Sequence, residues 1–464
     1  MRGRPAILGG EPIRTRPFVS RPHIDEREVE AVAQTVRDGL FSRFVGSPVP
    51  GTRALLRCTS AELATGDTAF SFLGGPNVRR FEAAWAEAHD VPYAVAMNSA
   101  TSAITAALMA MDIGPGAEVI TTPLSFTATA TAIVAANAVP VFADIDPDTL
   151  CLDVRAVADA ITPRTRAIIP VHWCGNAGDF RPLLELAHRA RLRVLEDSAQ
   201  APGTRYGDRY LGTLGDAGVF SFSEPKNVMT GEGGMLVTAD AGLAEKCRLI
   251  RNHGEAIPVD DDPDGYVMNV VGYNFRMVEA TAALGWVQTS KLDMVNRIRH
   301  ANYRYLADRL AARFGELMRP QRLTHPETFY AYTAVFLWSE ERSGLPRNVV
   351  ARALRAEGIP VATGVGRLLA DHPMFVRRLA FGPDGWPFTA TGRSYDDARL
   401  PMARQVHEHE YLGFFLMGYP NTDADMDDIV GAFEKIVAHR AQLASELSPE
   451  PDVAPEPTMT RGRA

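Results

Sequence analysis

Lysine is nearly missing from this chain: the only ones are Lys226, Lys246, Lys291 and Lys435, although lysine and arginine together number 48. In such a background, a lysine at a chemically special place stands out. Cysteine is scarce as well. Cys58, Cys151, Cys174 and Cys247 lie far apart with no CxxC pair, which excludes a zinc ribbon or a disulfide framework and leads us to expect a reducing cytoplasm. No run of about 18 apolar residues occurs, so no membrane span is expected. The opening MRGRPAILGGEPIR has an apolar stretch too short for a secretory signal. Positive charge is not in excess: the formal net charge is −8. That argues against a nucleic-acid partner, which would need a basic face, while leaving room for a local phosphate pocket. There is no GxxxxGK[ST] loop.

What is present reads as an ordinary globular protein, with 46% hydrophobic and 22% charged residues over 464 positions. That length implies two to four domains, or one large α/β unit with an appendage. The first twenty residues look like an arm, and a charged helix is expected near Asp25 to Gly39. Residues 42–76 lack periodicity and read as a long loop or insertion, a length usually kept for function or disorder. From Tyr93 to Asp240, short apolar runs (YAVAM, EVITT, VPVFADID, AIIPVH, RVLED, AGVFSF, GMLVTA) alternate with helix-period segments at Ser99–Met111, Phe126–Ala138 and Phe180–Arg191. This alternation predicts a mostly parallel sheet with helical crossovers. Beyond it, the pattern predicts a long, interrupted helix over Met277–Glu316 and a strand over Tyr330–Trp338. A helix over Asn348–Glu357, a strand over Ile359–Thr363 and a closing helix over Asp425–His439 follow. The Pro- and Glu-rich tail after Ser445 is expected to be disordered.

Three segments carry candidate chemistry. RVLED is a buried strand ending in Asp197, at the carboxyl end of a sheet where ligands bind in open α/β folds. A carboxylate there can pair with a protonated ring nitrogen, or it can simply cap the next turn. Lys226 sits in a turn after the strand AGVFSF. A lysine used as a Schiff-base nucleophile must bring a partly desolvated amine to its site; the alternative is a solvated loop lysine. Asn98-Ser99-Ala100-Thr101 lies where a strand ends and a helix begins. Free N–H groups there favour a phosphate, although Ser and Thr cap helices without any ligand.

The segments NSATSA, TTPLSFTATA, VFADID, EDSAQAPG, FSFSEPKNVMTGEGG and GYNFRMVEATAALG, in this order and spacing, resemble the DegT-like family of pyridoxal-phosphate (PLP) dependent sugar and cyclitol aminotransferases, of the aspartate-aminotransferase superfamily. The resemblance runs from about Pro22 to Ile436 and is clearest over 93–285. It implies an α/β fold of PLP fold type I: a large domain with a mostly parallel, mixed seven-stranded sheet flanked by helices, plus a smaller C-terminal α/β domain. The corresponding division is an arm at 1–20, a large domain at 21–293 with the insertion at 42–76, a small domain at 294–442 and a tail at 443–464. The resemblance assigns Lys226 to the Schiff base with PLP and to proton transfer, and Asp197 to the pyridine nitrogen. It puts Gln200 near the ring and Phe126 stacked on it, with Ala100, Thr101 and Ser221 at the phosphate. Asn274 would reach the phosphate of a neighbouring subunit, implying a homodimer. Glu232 is read as structural, and no metal is expected.

The implied reaction is a two-stage transfer from glutamate or glutamine to an oxo-sugar, oxo-cyclitol or related ketone in sugar or antibiotic biosynthesis. A PLP-dependent dehydratase is the alternative; such relatives often have histidine at the lysine position, so Lys226 counts against it. A non-catalytic regulatory paralogue is disfavoured by the intact Lys226, Asp197 and Thr101 set. Two departures bear on the acceptor: the insertion at 42–76, and GIPVATGVGRLLADHPMF where sugar-nucleotide members often carry a His-Tyr motif. Both belong to the family's substrate-facing region. His407-Glu408-His409-Glu410 reads as a polar helix face rather than a metal site, and His172 and Cys174 as core or site-lining residues.

Overall fold

The computed structural model describes residues 3–44, 55–65, 73–224, 226–256, 267–268, 270–395 and 399–447. Its centre is a seven-stranded sheet. Strands β1 (Tyr93–Met97), β2 (Glu118–Thr121), β3 (Val139–Phe142), β4 (Thr165–Ile169), β5 (Arg193–Asp197), β6 (Ala217–Ser221) and β7 (Gly234–Thr238) lie in the order β1-β7-β6-β5-β4-β2-β3. Pairs β2–β3, β2–β4, β4–β5 and β5–β6 are parallel, and β7 runs antiparallel to both β6 and β1. Each corresponds to a run expected from the sequence: β1 and β5 coincide with theirs, β2, β3, β6 and β7 stop one to four residues early, and β4 starts earlier, at Thr165, and stops at Ile169.

The strands are apolar on both sides because helices cover both faces. Val95, Met97, Val119, Ile169, Leu195, Val219 and Leu236 pack with Ile104, Leu108, Ile133 and Ile250. These partners come from helices α4 (Ala100–Ala110), α5 (Thr127–Ala135) and α8 (Ala241–Arg251), numbered after α1 (Glu26–Asp38), α2 (Ser60–Thr65), α3 (Pro76–Ala88), α6 (Val154–Ala160) and α7 (Phe180–Ala190). The alternate residues Ala94, Ala96, Phe220, Met235 and Val237 meet Phe81 and Trp85 of α3. Ile120, Val141, Ile168 and Val194 meet Val157 of α6 and Phe180 and Leu183 of α7. Period-two alternation thus sends each strand's side chains to two separate cores.

The segment Met277–Glu316 is two helices, α9 (Glu279–Thr289) and α10 (Leu292–Phe314). After it, β8 (Met318–Pro320), β9 (Ala334–Trp338) and β10 (Tyr411–Phe414) form a three-stranded antiparallel sheet. Helices α11 (Arg347–Ala356) and α12 (Asp423–Ala438) share its core, in which Leu310, Phe336, Val350, Phe414 and Phe433 are buried together. Thr422 and Asp425 form a capping box at the start of α12. The N-terminal segment is fastened here: Glu357 accepts from the backbone N–H of Ala6 (2.8 Å) and Ile13 (2.9 Å) and from Lys435 (2.9 Å).

Several local expectations are corrected. Ile359–Thr363 is not a strand among the described residues; only Ala362 bridges, to Gly413. Its neighbouring carbonyls are taken by arginines instead, Val361 by Arg355 and Thr363 by Arg347, so no partner strand is needed. The strand expected from Tyr330 begins at Ala334. His407–Glu410 lies in a single π-helical turn, with His407 Nε2 bonded to the Val365 carbonyl at 2.5 Å. The stretch 42–76 is not all loop: it holds α2, whose Ser60 Oγ bonds both the carbonyl (3.1 Å) and the N–H (2.9 Å) of Ala94. Because β1 is an edge strand, this hydroxyl does the work of a missing neighbour. Positions 45–54 and 66–72, and the tail beyond 447, lie outside the described residues, while 440–446 are helical.

One buried histidine makes the fold acid-sensitive. His89 stacks on Trp85 at 4.5 Å, faces Phe220 at 4.6 Å, and its Nδ1 bonds the Trp85 carbonyl at 3.0 Å. Burial lowers its pKa from 6.5 to about 4. Since the folded value is the lower one, the unfolded chain takes up the proton first as pH falls. The contribution is therefore present above pH 6.5 and lost between 6.5 and 4. Going from pH 7 to pH 5 should cost about 2 kcal/mol through this residue. Urea midpoints at the two pH values should move less in His89→Phe than in the parent, and equal movement would show that another group controls the acid limb.

Candidate active site

The carboxyl ends of β4, β5 and β6 meet at one edge, and the candidate residues gather there. Asp197 ends β5 and is buried. Its Oδ2 accepts from Thr129 Oγ1 (2.8 Å) and its Oδ1 from the Ala199 N–H (3.2 Å). Each oxygen keeps lone-pair capacity for one more donor. Thr129 is one turn into α5, and its N–H bonds the carbonyl of Phe126 (3.3 Å), the residue preceding that helix. Phe126 is therefore tied to Asp197 through Thr129. It is 67% exposed, an unusual state for a large aromatic inside a rigid turn and one that suits a flat ring laid against it. Gln200, three residues beyond Asp197, is buried and accepts from the Cys174 N–H at 2.8 Å.

Lys226 follows β6 in a turn closed by its own N–H to the Ser223 carbonyl (2.9 Å). The residue is partly accessible, but its amine is desolvated: burial lowers the pKa from 10.5 to about 8, opposed by nearby Asp197 and Cys174. Its Nζ lies 4.4 Å from the centroid of the Tyr332 ring.

The third element is the turn before α4. Ser99 caps the helix by accepting from the Ser102 N–H (3.1 Å). Among the described residues the N–H groups of Ala100 and Thr101, and the Thr101 hydroxyl, have no protein partner, so three donors are free at a helix N-terminus. Gly234 explains how they sit so close to the sheet. A Cβ there would stand 2.3 Å from the Ser99 carbonyl carbon and 2.4 Å from the Ala100 nitrogen. Gly234 pairs with Ser221 across β6–β7, which places the Ser221 hydroxyl beside the same turn. Asn274 is exposed; its carbonyl accepts from Asn98 Nδ2 at 3.4 Å on the outer side of that turn. Within one chain it borders the cradle. Glu232 is exposed, with its carbonyl held by Thr230 (2.8 Å).

These residues fit the cofactor expected from the sequence, with an amine, an acid, an aromatic face and a set of unpartnered donors around one strand-end edge. His172 is occupied elsewhere, its Nε2 2.8 Å from Glu196, which also accepts from the N–H groups of Gly212, Leu214 and Gly215 (each 2.7 Å). Cys174 Sγ lies 3.6 Å from the Tyr411 hydroxyl, and burial raises its pKa to about 12. Sequence reasoning missed Thr129 and Tyr332. Thr129 had a signal, since it stands three residues after Phe126 on a helix; Tyr332 had none, because its approach to Lys226 depends on how the C-terminal unit docks.

Comparisons with known proteins place the chain in a family. The profile of the DegT/DnrJ/EryC1/StrS aminotransferase family matches residues 61–410. An L-glutamine:2-deoxy-scyllo-inosose aminotransferase of Streptomyces fradiae is 35% identical over 460 residues, covering 95% of this chain and 99% of the relative. A GDP-perosamine synthase of Caulobacter vibrioides is 39% identical over 374 residues, covering 80% and 93%. Among solved structures, DesI with its TDP-sugar product superposes with a TM-score of 0.73 at 27% identity, covering 95% of this chain and 98% of that one. The chain belongs to the DegT/DnrJ/EryC1/StrS aminotransferase family and is a PLP-dependent aminotransferase of fold type I.

Proposed function

We propose that this enzyme carries an amino group from glutamine or glutamate to the keto carbon of a polyhydroxylated ring, an oxo-cyclitol or oxo-sugar, with the cyclitol favoured. The extent of the resemblance carries this reading. The alignment with the cyclitol enzyme spans 95% of the chain, whereas that with the perosamine synthase spans 80%.

In this reading Lys226 is the point of cofactor attachment and later the base that moves the donor's Cα proton. PLP, when bound, supplies the electron sink that makes that proton acidic. Lys226 suits the task because its amine is held near neutrality by burial. Asp197 would pair with the ring nitrogen, Phe126 would lie against the ring, and Gln200 would stand at its edge. The Ala100 and Thr101 donors, with Ser221, would hold the phosphate, and Asn274 of a second copy would complete that site. The reading thus includes a homodimer acting in the cytoplasm. The described residues contain no helix long and apolar enough to cross a membrane. The division into a large unit at 21–293 and a smaller one at 294–442 is part of the same proposal. The acceptor would approach past 365–369, since the Leu369 N–H bonds the Pro123 carbonyl (2.8 Å), three residues before Phe126.

The test is a split reaction. The PLP form mixed with glutamine should release one equivalent of the donor's oxo acid per site. The aminated form should then lose its amino group to oxo-cyclitols at a higher kcat/KM than to nucleotide-linked oxo-sugars. Release of water from the second substrate without oxo acid would indicate a dehydratase, and inertness in both halves would indicate a regulatory protein.

A further inference from the structure

Lys226 faces the ring of Tyr332, and the residues around that ring are fixed from three directions. The Tyr332 N–H donates to the Cys174 carbonyl (3.2 Å), tying it to the turn beyond β4. Asn227, next to Lys226, reaches the Tyr330 carbonyl at 3.5 Å and Asn296 Oδ1 at 3.4 Å. From α10, Arg299 Nη1 donates to the carbonyls of Ala331 (3.1 Å) and Tyr332 (3.4 Å). Arg299 is an odd residue to bury. It has no carboxylate ion pair among the described residues, burial lowers its pKa to about 10, and Gly418 leaves the room it needs. A cation placed at such cost to hold two backbone carbonyls marks segment 330–332 as one whose position matters.

We infer that Tyr332 is a further positioning residue of the amino-transfer reaction: its ring face holds the Lys226 amine and sets how readily that amine gives up its proton. The physical cause is the ring quadrupole, whose negative face stabilises an ammonium more than a neutral amine, all the more when water is excluded. The ring therefore works with Asp197 and against desolvation. Among the described residues, the other groups near the amine include Cys174, with the Tyr411 hydroxyl behind it, and Arg299 beyond the Tyr332 carbonyl. The inference rests on Lys226 being the reacting lysine.

The test measures the lysine itself rather than turnover. Full-length enzyme freed of cofactor is given PLP and cyanoborohydride across a pH series, and the rate of fixation on the Lys226 peptide is followed by mass. The parent should show a midpoint near pH 8. Tyr332→Phe keeps the ring and should keep the midpoint. Tyr332→Leu should lower it by about half a unit to one and a half units. Tyr332→Met serves if the leucine variant melts early. An unmoved midpoint in the aliphatic variants would overturn the inference. So would a shift in Tyr332→Phe as large as in Tyr332→Leu, which would transfer the effect to the hydroxyl. Fixation on Lys246, Lys291 or Lys435 in the parent is a separate outcome, and it would overturn the assignment of Lys226 itself.

Discussion

Lys226→Ala should yield a protein that still takes up PLP but cannot be fixed to it by borohydride, with turnover down by at least about 10⁴-fold. That is the upper end of what one general acid–base group contributes, and this lysine is asked to supply attachment as well. The choice among the four lysines is decided by their partners. Lys246 pairs with Asp112 at 2.8 Å, Lys291 with Glu28 at 2.6 Å and Asp25 at 3.0 Å, and Lys435 with Glu357 at 2.9 Å. Among the described residues Lys226 makes no such ion pair; it meets an aromatic face instead. An amine bonded to a carboxylate is anchored away from any site, whereas the desolvated Lys226 amine has a neutral fraction able to attack a carbonyl. Uptake should survive because the proposed phosphate donors at Ala100, Thr101 and Ser221 do not depend on the lysine. Peptide mapping after reduction checks the attachment, and label on any of the other three lysines would overturn it.

The seven strands were legible because each is buried on both faces between helices, a condition that writes a short apolar run between turn residues. Asp197 and Lys226 were legible for a different reason: both stand where such a run stops, so their place at the strand ends follows from the strands. The C-terminal unit was less so. At Ile359–Thr363 the apolar pattern is that of a strand, yet carbonyls bond to Arg355 and Arg347, a choice made by side chains of the preceding helix α11 rather than by the run itself. At 42–76 no period was visible because α2 is only six residues long, and it is fixed by one serine that bonds to an edge strand. Tyr332 was invisible in the same sense, since aromatic residues near strand starts usually belong to the core. Local pattern therefore reported elements that bury themselves, and not contacts that arise only when two units meet.

Asp197→Asn should keep the shape of the strand end and lower turnover by about 10²–10³-fold, the loss typical of removing one electrostatic contact that matters as charge moves. The carboxylate is already oriented by Thr129 at 2.8 Å and Ala199 at 3.2 Å. In the amide, one of the two positions becomes a donor. At the Oδ1 position it confronts the Ala199 N–H, a clash of donors; at the Oδ2 position the Thr129 hydroxyl can turn to accept, but the proposed ring N–H then loses its charged acceptor. Because ring protonation matters when the donor's Cα–H bond breaks, proton transfer should suffer more than cofactor affinity. With a Cα-deuterated donor, the isotope effect on the first half-reaction should rise in the variant, while the PLP dissociation constant moves by less than about tenfold. Thr129→Val, which leaves the acid but removes one of its two hydrogen-bond donors, should fall between parent and Asp197→Asn, at about a fivefold to tenfold loss. Full activity in Asp197→Ala would reduce the strand-end acid to a cap for the turn at Ala199 and leave the ring nitrogen without its partner.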